Sequence, residues 1–515
     1  TSTPVESEDL KHVYNVSYIN DGSQFDFDLK KEKVSIKKEL NDRLKVSGFI
    51  KSIGKGNIEF RDDKSNSLKE GDSIFLISNL AESSLKKRRD AIEAIINERA
   101  AIPNLVKYFD ANIDCEPEEI TNSCPTDTEI DLYTEKAPGE PTFKFNHSQK
   151  EAFKKLHQLG PLGLLQGPPG TGKTAFIGAF IHYSILKGSK KILLVSQSHE
   201  AVNNAAEKVR EIFQKQNESV SIIRLGDEEH ISDSLVDISE DALQKNYREL
   251  FRAEIKQRVM LASKNLLFPN KFIEISLEFE LSFGRNIDTY TQTENNKNLN
   301  NWLEKLSKFF KMNFDYKSEF NDRNLDKVHD TFYQLAEQKF EIDSPLNVEK
   351  YRNIINIAFE WIAVMSSSKS QFQNFLVKTR TIVCGTCVGI ARLHYGINEN
   401  IYDLVVIDEA SRASSSELAI AMQIGRKLIL VGDHKQLPPQ YDSTHIKKAS
   451  EKIGNITDKE LRQSDFERSF LSTYGITVGQ KLSVQYRMAP AIGNLISYCF
   501  YDSILETEGV SLSML

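Results

Sequence analysis

Gly167-Pro-Pro-Gly-Thr-Gly-Lys173-Thr174 decides the fold: these eight residues match the pattern GxxxxGK[ST] and follow an apolar run at 162–165. A strand that ends in a glycine-rich turn and continues as a helix lets backbone N–H groups close around a polyphosphate, with the positive end of the helix behind them. In that arrangement Gly167, Pro168, Pro169, Gly170, Thr171 and Gly172 form the cradle, Lys173 reaches the outer phosphates, and Thr174 offers its hydroxyl to Mg²⁺. Residues 175–186 read as the helix. A chance Gly-Pro loop is the poorer reading, because the pattern sits where the strand-loop-helix mechanism requires it. The context predicts an α/β protein built on a P-loop parallel sheet.

A second stretch narrows the chemistry. Leu404-Val-Val-Ile407 is a short apolar strand running into Asp408-Glu409-Ala410. Asp408, at the strand end, can hold Mg²⁺ directly or through water, and Glu409 can orient and deprotonate an attacking water. Acids decorating a helix N-terminus are the bland alternative. They would leave unexplained the next apolar run, 427–431, which leads into Gly432-Asp433-His434-Lys435-Gln436-Leu437-Pro438-Pro439.

GPPGTGKT, VVIDEA, LVGDHKQLPP and LSVQYRMAP, in this order, resemble the motifs of superfamily 1 helicases, in the branch that holds the up-frameshift, senataxin and immunoglobulin-μ-binding helicases. The resemblance runs from about Phe145 to the C-terminus, with one interruption. Phe145-Asn-His-Ser-Gln149 resembles that family's adenine-reading motif, and Ser196-Gln-Ser-His-Glu-Ala-Val202 its motif Ia. Segments 221–226, 384–387 and 464–469 also fall where the family has comparable stretches.

The resemblance implies RecA-like lobes with ATP and Mg²⁺ bound between two of them. Gln149 would read the adenine edge through its amide. Lys173, Glu409, Gln436 and Arg487 would carry catalysis, Gln436 by sensing the γ-phosphate and Arg487 by offsetting charge on the transferring phosphoryl group. Tyr486 would stack on the base. Single-stranded DNA or RNA would lie along Ser196, Gln197, Ser198, His199, Asn203 and Thr386, contacted through sugar and phosphate and so without a sequence code. The implied activity is an ATP-dependent helicase or translocase moving 5′ to 3′. An ATP-gated clamp that grips nucleic acid or a protein partner without unwinding is the rival, and a P-loop ATPase that acts on no nucleic acid is the third reading.

Composition sets outer limits. At 515 residues the chain is long enough for several cores, and 66 basic against 73 acidic residues give a net charge of −7, which excludes a histone-like binder but leaves room for a basic groove. Cys115, Cys124, Cys384, Cys387 and Cys499 are too scattered for a disulfide framework. The Cys384-x-x-Cys387 pair lacks a second pair, so zinc is not expected. No apolar run approaches the roughly 20 residues of a membrane span and no secretory signal opens the chain, so no membrane partner and a cytoplasmic or nuclear setting are expected.

Along the chain, 1–44 stays unassigned apart from one candidate strand near 25–29. Residues 45–82, with β-rich runs between Gly48, Gly54, Gly56 and Gly71, read as a small β-barrel-like module, 83–115 as a helical stalk with its helix at 84–99, and the proline-rich 116–144 as a linker. The first RecA-like motor domain takes 145–226 and 379–445. Between them 227–378 reads as a helical insertion, in which 302–314 is a Lys-faced amphipathic helix that weighs more as packing than as a nucleic-acid contact. Segment 446–478 connects to the start of a second RecA-like domain at 479–515. That last stretch is short of the about 100 to 150 residues such a domain needs, so further chain or a protein partner would complete the lobe, and the chain as written is expected to turn over little ATP.

Overall fold

The computed structural model describes residues 13–17, 34–37, 46–52, 57–62, 75–121, 123–134, 144–264, 266–280, 325–367, 369–392 and 395–508. The expectations at 25–29 and 302–314 lie outside them. Two compact units emerge, one made of Thr1–Glu240 with Asn374–Leu515, the other of Asp241–Gln373.

In the first unit, strands β1 (Val13–Ser17), β2 (Val34–Lys37), β3 (Val46–Ser52), β4 (Asn57–Asp62) and β5 (Phe75–Ser78) form an antiparallel sheet in the order β1-β4-β3-β2-β5. This corrects two boundaries. Within 1–44 the described stretches Val13–Ser17 and Val34–Lys37 are two strands of the β module, and among the described residues the sheet is open, with β1 and β5 at its edges. The helix Asn79–Ile96 follows directly and starts earlier than the sequence pattern suggested. Ala91 is its buried contact, while Leu85 and Ile96 are exposed.

Residues 116–144 are more than a linker. Glu118–Glu119 (β6) pairs antiparallel with Leu159–Gly160 (β7). Thr126 and Glu129 then make a reciprocal capping box for the helix Asp127–Asp131. That short helix delivers Ile130 and, just after it, Tyr133 into the main core, where the Tyr133 hydroxyl lies 2.8 Å from His182 Nδ1.

The main core belongs to a seven-stranded sheet of β8 (Leu162–Gln166), β9 (Ile192–Ser196), β10 (Ile222–Arg224), β11 (Ile382–Thr386), β12 (Leu404–Asp408), β13 (Leu428–Gly432) and β14 (Gln480–Lys481). Their order is β10-β11-β9-β12-β13-β8-β14, and every neighbouring pair is parallel. Strands β8 to β13 are buried at every position. That is why they read as continuous apolar runs and not as alternating ones. The helices His147–Gln158 and Lys173–Leu186 pack an aromatic cluster beneath the sheet, in which Phe153 meets Phe176, Phe180 and Tyr183 edge-on at 5.3–5.5 Å.

Register decides where chemistry can happen. Thr386 and Asp408 both pair with Ser196, and Gly432 pairs with Gln166. The polar strand ends therefore share one edge of the sheet, the carboxyl edge, where open parallel sheets bind ligands.

The C-terminal boundary also needs correcting. Gln480–Lys481 extends the first sheet beside β8 and Leu482 is buried in its core, so 479–482 belong to the first motor domain. Beyond them Val484–Gln485 (β15) and Glu506–Thr507 (β16) pair parallel, joined by the helix Pro490–Phe500. Before them the short helices of 446–478 close the sheet edge, with the Tyr474 hydroxyl donating to the Leu162 carbonyl at 2.6 Å.

The second unit is helical in its described parts: Asn270–Phe279, Leu325–Phe340, Pro345–Ser367 and most of Glu240–Lys264. Its own core stacks Phe279 on Phe332 at 3.9 Å, and Tyr333 donates to Glu280 at 2.9 Å.

Candidate functional site

Pro168 to Thr174, Asp408, Glu409, Gln436, Tyr486 and Arg487 line one cleft of about 560 Å³ at the carboxyl edge. Its glycine-rich wall has backbone reasons for its composition. Gly170 and Gly172 sit at φ 78° and 81°, and a Cβ at Gly170 would stand 2.6 Å from Arg487 Cβ. Gly172 caps the helix Lys173–Leu186 without a side chain, leaving the N-terminal N–H groups free to face an anion. Lys173 Nζ donates to the Gly167 carbonyl at 2.6 Å. Gly167, expected in the cradle, is not part of the lining, and its amide donates to the Gly432 carbonyl at 3.0 Å.

Asp408 is buried, and its Oδ1 accepts from the Glu409 amide at 2.9 Å. Burial first, and then the adjacent Glu409 carboxylate, push its pKa up to about 6 against the pull of Lys173. A carboxylate so short of water and next to a second acid favours a bound cation, and with the Thr174 hydroxyl on the same cleft the donors are hard oxygens that suit Mg²⁺. Glu409 sits at φ 54°, a left-handed conformation costing on the order of 1 kcal/mol for a residue with a Cβ. The next residue bonds back to β13, Ala410 N–H to the Val431 carbonyl at 2.9 Å.

Tyr486 and Arg487 reach the cleft from the segment after β15. The Tyr486 amide donates to the Gly170 carbonyl at 2.9 Å, and its hydroxyl accepts from Asn146 Nδ2 at 3.0 Å. The Arg487 amide donates to Gln485 Oε1 at 2.9 Å. Gln436 directs its amide to Asp433 Oδ2 at 2.8 Å.

Gln149 is placed differently from its expected role. It is fully buried and absent from the cleft wall. Its Oε1 accepts from the Asn146 amide at 2.9 Å and its Nε2 donates to the Thr171 carbonyl at 3.0 Å. The amide is therefore spent on a helix cap and on bracing the phosphate loop, and in this structure it does not face a base. Sequence reasoning missed Ala201, Asn204 and Lys208, which line the cleft from the helix His199–Lys215. Their i, i+3, i+7 spacing on one helix face was a legible signal.

The expected nucleic-acid contacts scatter. Gln197 is exposed at the carboxyl edge. Ser198 caps its helix by accepting from the Ala201 amide at 3.2 Å. Asn203 is buried with both amide atoms engaged, Oδ1 from Arg224 Nε at 2.8 Å and Nδ2 to the His230 carbonyl at 2.9 Å. Its expected role as a contact is therefore corrected to that of an internal brace, because fully buried Arg224 needs an acceptor. His199 Nδ1 lies 3.2 Å from Arg224 NH2, and burial, followed by the Arg224 charge, pushes its pKa down to about 4. Ser196 and Thr386 are buried at their strand ends, the Thr386 hydroxyl accepting from the Gly389 amide at 2.9 Å.

A family profile described as AAA domain matches residues 144–444, more than half of the chain. Among curated proteins the chain is 27% identical over 376 residues to a regulator of nonsense transcripts 1 homolog of Arabidopsis thaliana, covering 73% of this chain and 21% of that protein. It is 26% identical over 368 residues to an uncharacterized ATP-dependent helicase of Methanocaldococcus jannaschii, covering 70% and 45%. Over 392 residues it is 26% identical to helicase sen1 of Schizosaccharomyces pombe, covering 71% and 20%. The chain spans less than half the length of each of these relatives. With a parallel sheet carrying the phosphate loop and the paired acids on its carboxyl edge, the chain belongs to the AAA domain family, in the up-frameshift branch of the superfamily 1 helicases.

Proposed function

We propose that this chain is the nucleotide-driven core of a helicase or translocase that uses ATP and Mg²⁺ to move along single-stranded DNA or RNA, in the 5′ to 3′ direction that the resembled branch implies. The observation that carries the reading is the single cleft shared by Lys173, Asp408, Glu409, Gln436 and Arg487. Bound Mg²⁺, held by Asp408 and Thr174, would neutralise phosphate charge. Lys173 leaves the Gly167 carbonyl to meet the outer phosphates. Glu409 accepts a proton from the attacking water, and Arg487, always charged, offsets the charge that develops as the phosphoryl group transfers. Tyr486 supplies an aromatic wall for the base.

Nucleic acid fits the carboxyl edge beside β9 and β11, where exposed Gln197 leads into the helix His199–Lys215. No described helix is long and apolar enough to cross a membrane. A cytoplasmic or nuclear setting, and a further segment or protein partner beside Tyr486 and Arg487, belong to the same proposal.

The test is ATP turnover by the intact protein with and without single-stranded DNA or RNA, followed by strand displacement on a tailed duplex. Stimulated turnover with displacement supports the helicase. Stimulated turnover without displacement moves the reading to the clamp, and turnover indifferent to nucleic acid removes both.

A further inference from the structure

Asp433 follows β13 and is almost fully buried, and four neutral donors hold its carboxylate. Gln166 Nε2 and the Lys435 amide donate to Oδ1, each at 3.2 Å. Gln436 Nε2 at 2.8 Å and the Tyr501 hydroxyl at 2.6 Å share Oδ2. The four donors come from three places: Gln166 from the strand end before the phosphate loop, Lys435 and Gln436 from the loop after β13, with Gln436 also lining the cleft, and Tyr501 from the cap of the helix Pro490–Phe500. That helix begins directly after Tyr486-Arg487-Met488, so Asp433 is joined to the cleft twice, once through Gln436 and once through Tyr501 and the helix behind Arg487.

We infer that Tyr501 is a positioning residue for nucleotide hydrolysis, holding Asp433 so that Gln436 is presented to the cleft and tying the helix behind Arg487 to the same carboxylate. The inference rests on the reading of the cleft as an ATP site. An O–H···O⁻ bond of this length is of the strong, charge-assisted kind. Two donors on one oxygen weaken each other, so when Gln436 turns from Oδ2 to a γ-phosphate the Tyr501 bond tightens. Nucleotide occupancy is thereby read by the segment that carries Arg487. Burial, and next the bond to Asp433, hold the Tyr501 phenol well above its ordinary range, so it stays a donor at every working pH.

The test is a kinetic cycle on the intact protein, measuring kcat and KM for ATP in Tyr501→Phe, Gln436→Ala and the double variant. Phe keeps the ring and deletes only the hydroxyl. Tyr501→Phe is expected to lower kcat by about tenfold with KM within about twofold, the scale of one lost charge-assisted bond. In the Gln436→Ala background the same change should lower kcat by less than about twofold, because the two act as one unit. A merely structural hydroxyl would cost the same in both backgrounds, and that result, or an unaltered kcat in Tyr501→Phe, overturns the role. Asp433→Asn, alone and with Tyr501→Phe, reads the same bond from its acceptor should either variant of the first cycle fold poorly. Absence of turnover in the wild-type protein sinks the ATP reading and this role together, whereas wild-type turnover with an unchanged Phe variant sinks this role alone.

Discussion

Lys173 Nζ donates to the Gly167 carbonyl oxygen at 2.6 Å, so the lysine that would meet phosphate closes its own loop instead. The bond is local and half-buried, and exchanging it for phosphate contacts costs little. Lys173→Ala is expected to reduce binding of a fluorescent ADP analogue by about 100-fold or more, the scale of losing a direct cation–phosphate contact. The thermal midpoint of the nucleotide-free protein should stay within a degree or two, on the order expected for a half-exposed site. Retained nucleotide affinity would place the phosphates elsewhere.

Glu409 separates binding from chemistry. Glu409→Gln preserves the side-chain shape at φ 54° but cannot accept a proton. ATP affinity should remain within a fewfold while kcat falls by about 10² to 10⁴. Single-turnover measurements with labelled ATP check both at once, and wild-type turnover in the variant would strip Glu409 of the base role.

For Gln149 the expected phenotype is structural. Gln149→Ala leaves the half-buried Asn146 amide and the buried Thr171 carbonyl without their partner, at a cost of about 1–3 kcal/mol. Denaturant unfolding reads that loss. The preference for ATP over GTP should not change, and a variant that loses only base selectivity would return Gln149 to the base.

Acid should weaken the fold. Burial, followed by the Lys427 charge, pushes the His157 pKa down to about 4, and His199 is pushed to about 4 as well, both from an ordinary value of 6.5. Between those values the unfolded chain binds protons that the folded chain refuses, so stability present above pH 6.5 is lost as the pH falls toward 4. Scanning fluorimetry across that window should show a falling midpoint, and His157→Gln a shallower fall. Equal slopes would mean that His157 titrates normally.

How far the sequence was legible depends on what each residue answers to. Runs such as 192–196 and 404–408 gave themselves away because strands buried on both faces leave no polar alternation. Val13–Ser17 and Val34–Lys37 carry too few apolar residues in too polar a setting, and only pairing with β4, β3 and β5 makes them strands. Ile130 and Tyr133 were hidden among prolines that signal a linker. Many of the residues expected to hold nucleotide line one cleft, since a phosphate loop and an acidic strand end are written in consecutive residues. Gln149 was misjudged although the Asn146-x-x-Gln149 spacing of a capping box stood in the same line. Asn203 was unreadable for a different reason: its partner Arg224 arrives from a neighbouring strand, a contact no local pattern encodes.

The strand order also dictates a schedule for synthesis. Of the seven strands in the main sheet, β8, β9 and β10 emerge first, yet none of them hydrogen-bonds to another; their partners are β11, β12, β13 and β14. Ile222 waits for Ile382, about 160 positions later, which at ribosomal speeds is roughly 8 to 30 s. Throughout that interval three apolar ribbons with bare edges hang from the ribosome while the helical unit is made between them and their partners. The nascent chain is a ready client for chaperones that shield strand edges, and its yield on expression should respond to translation speed across 241–373 more than to changes in the sheet itself.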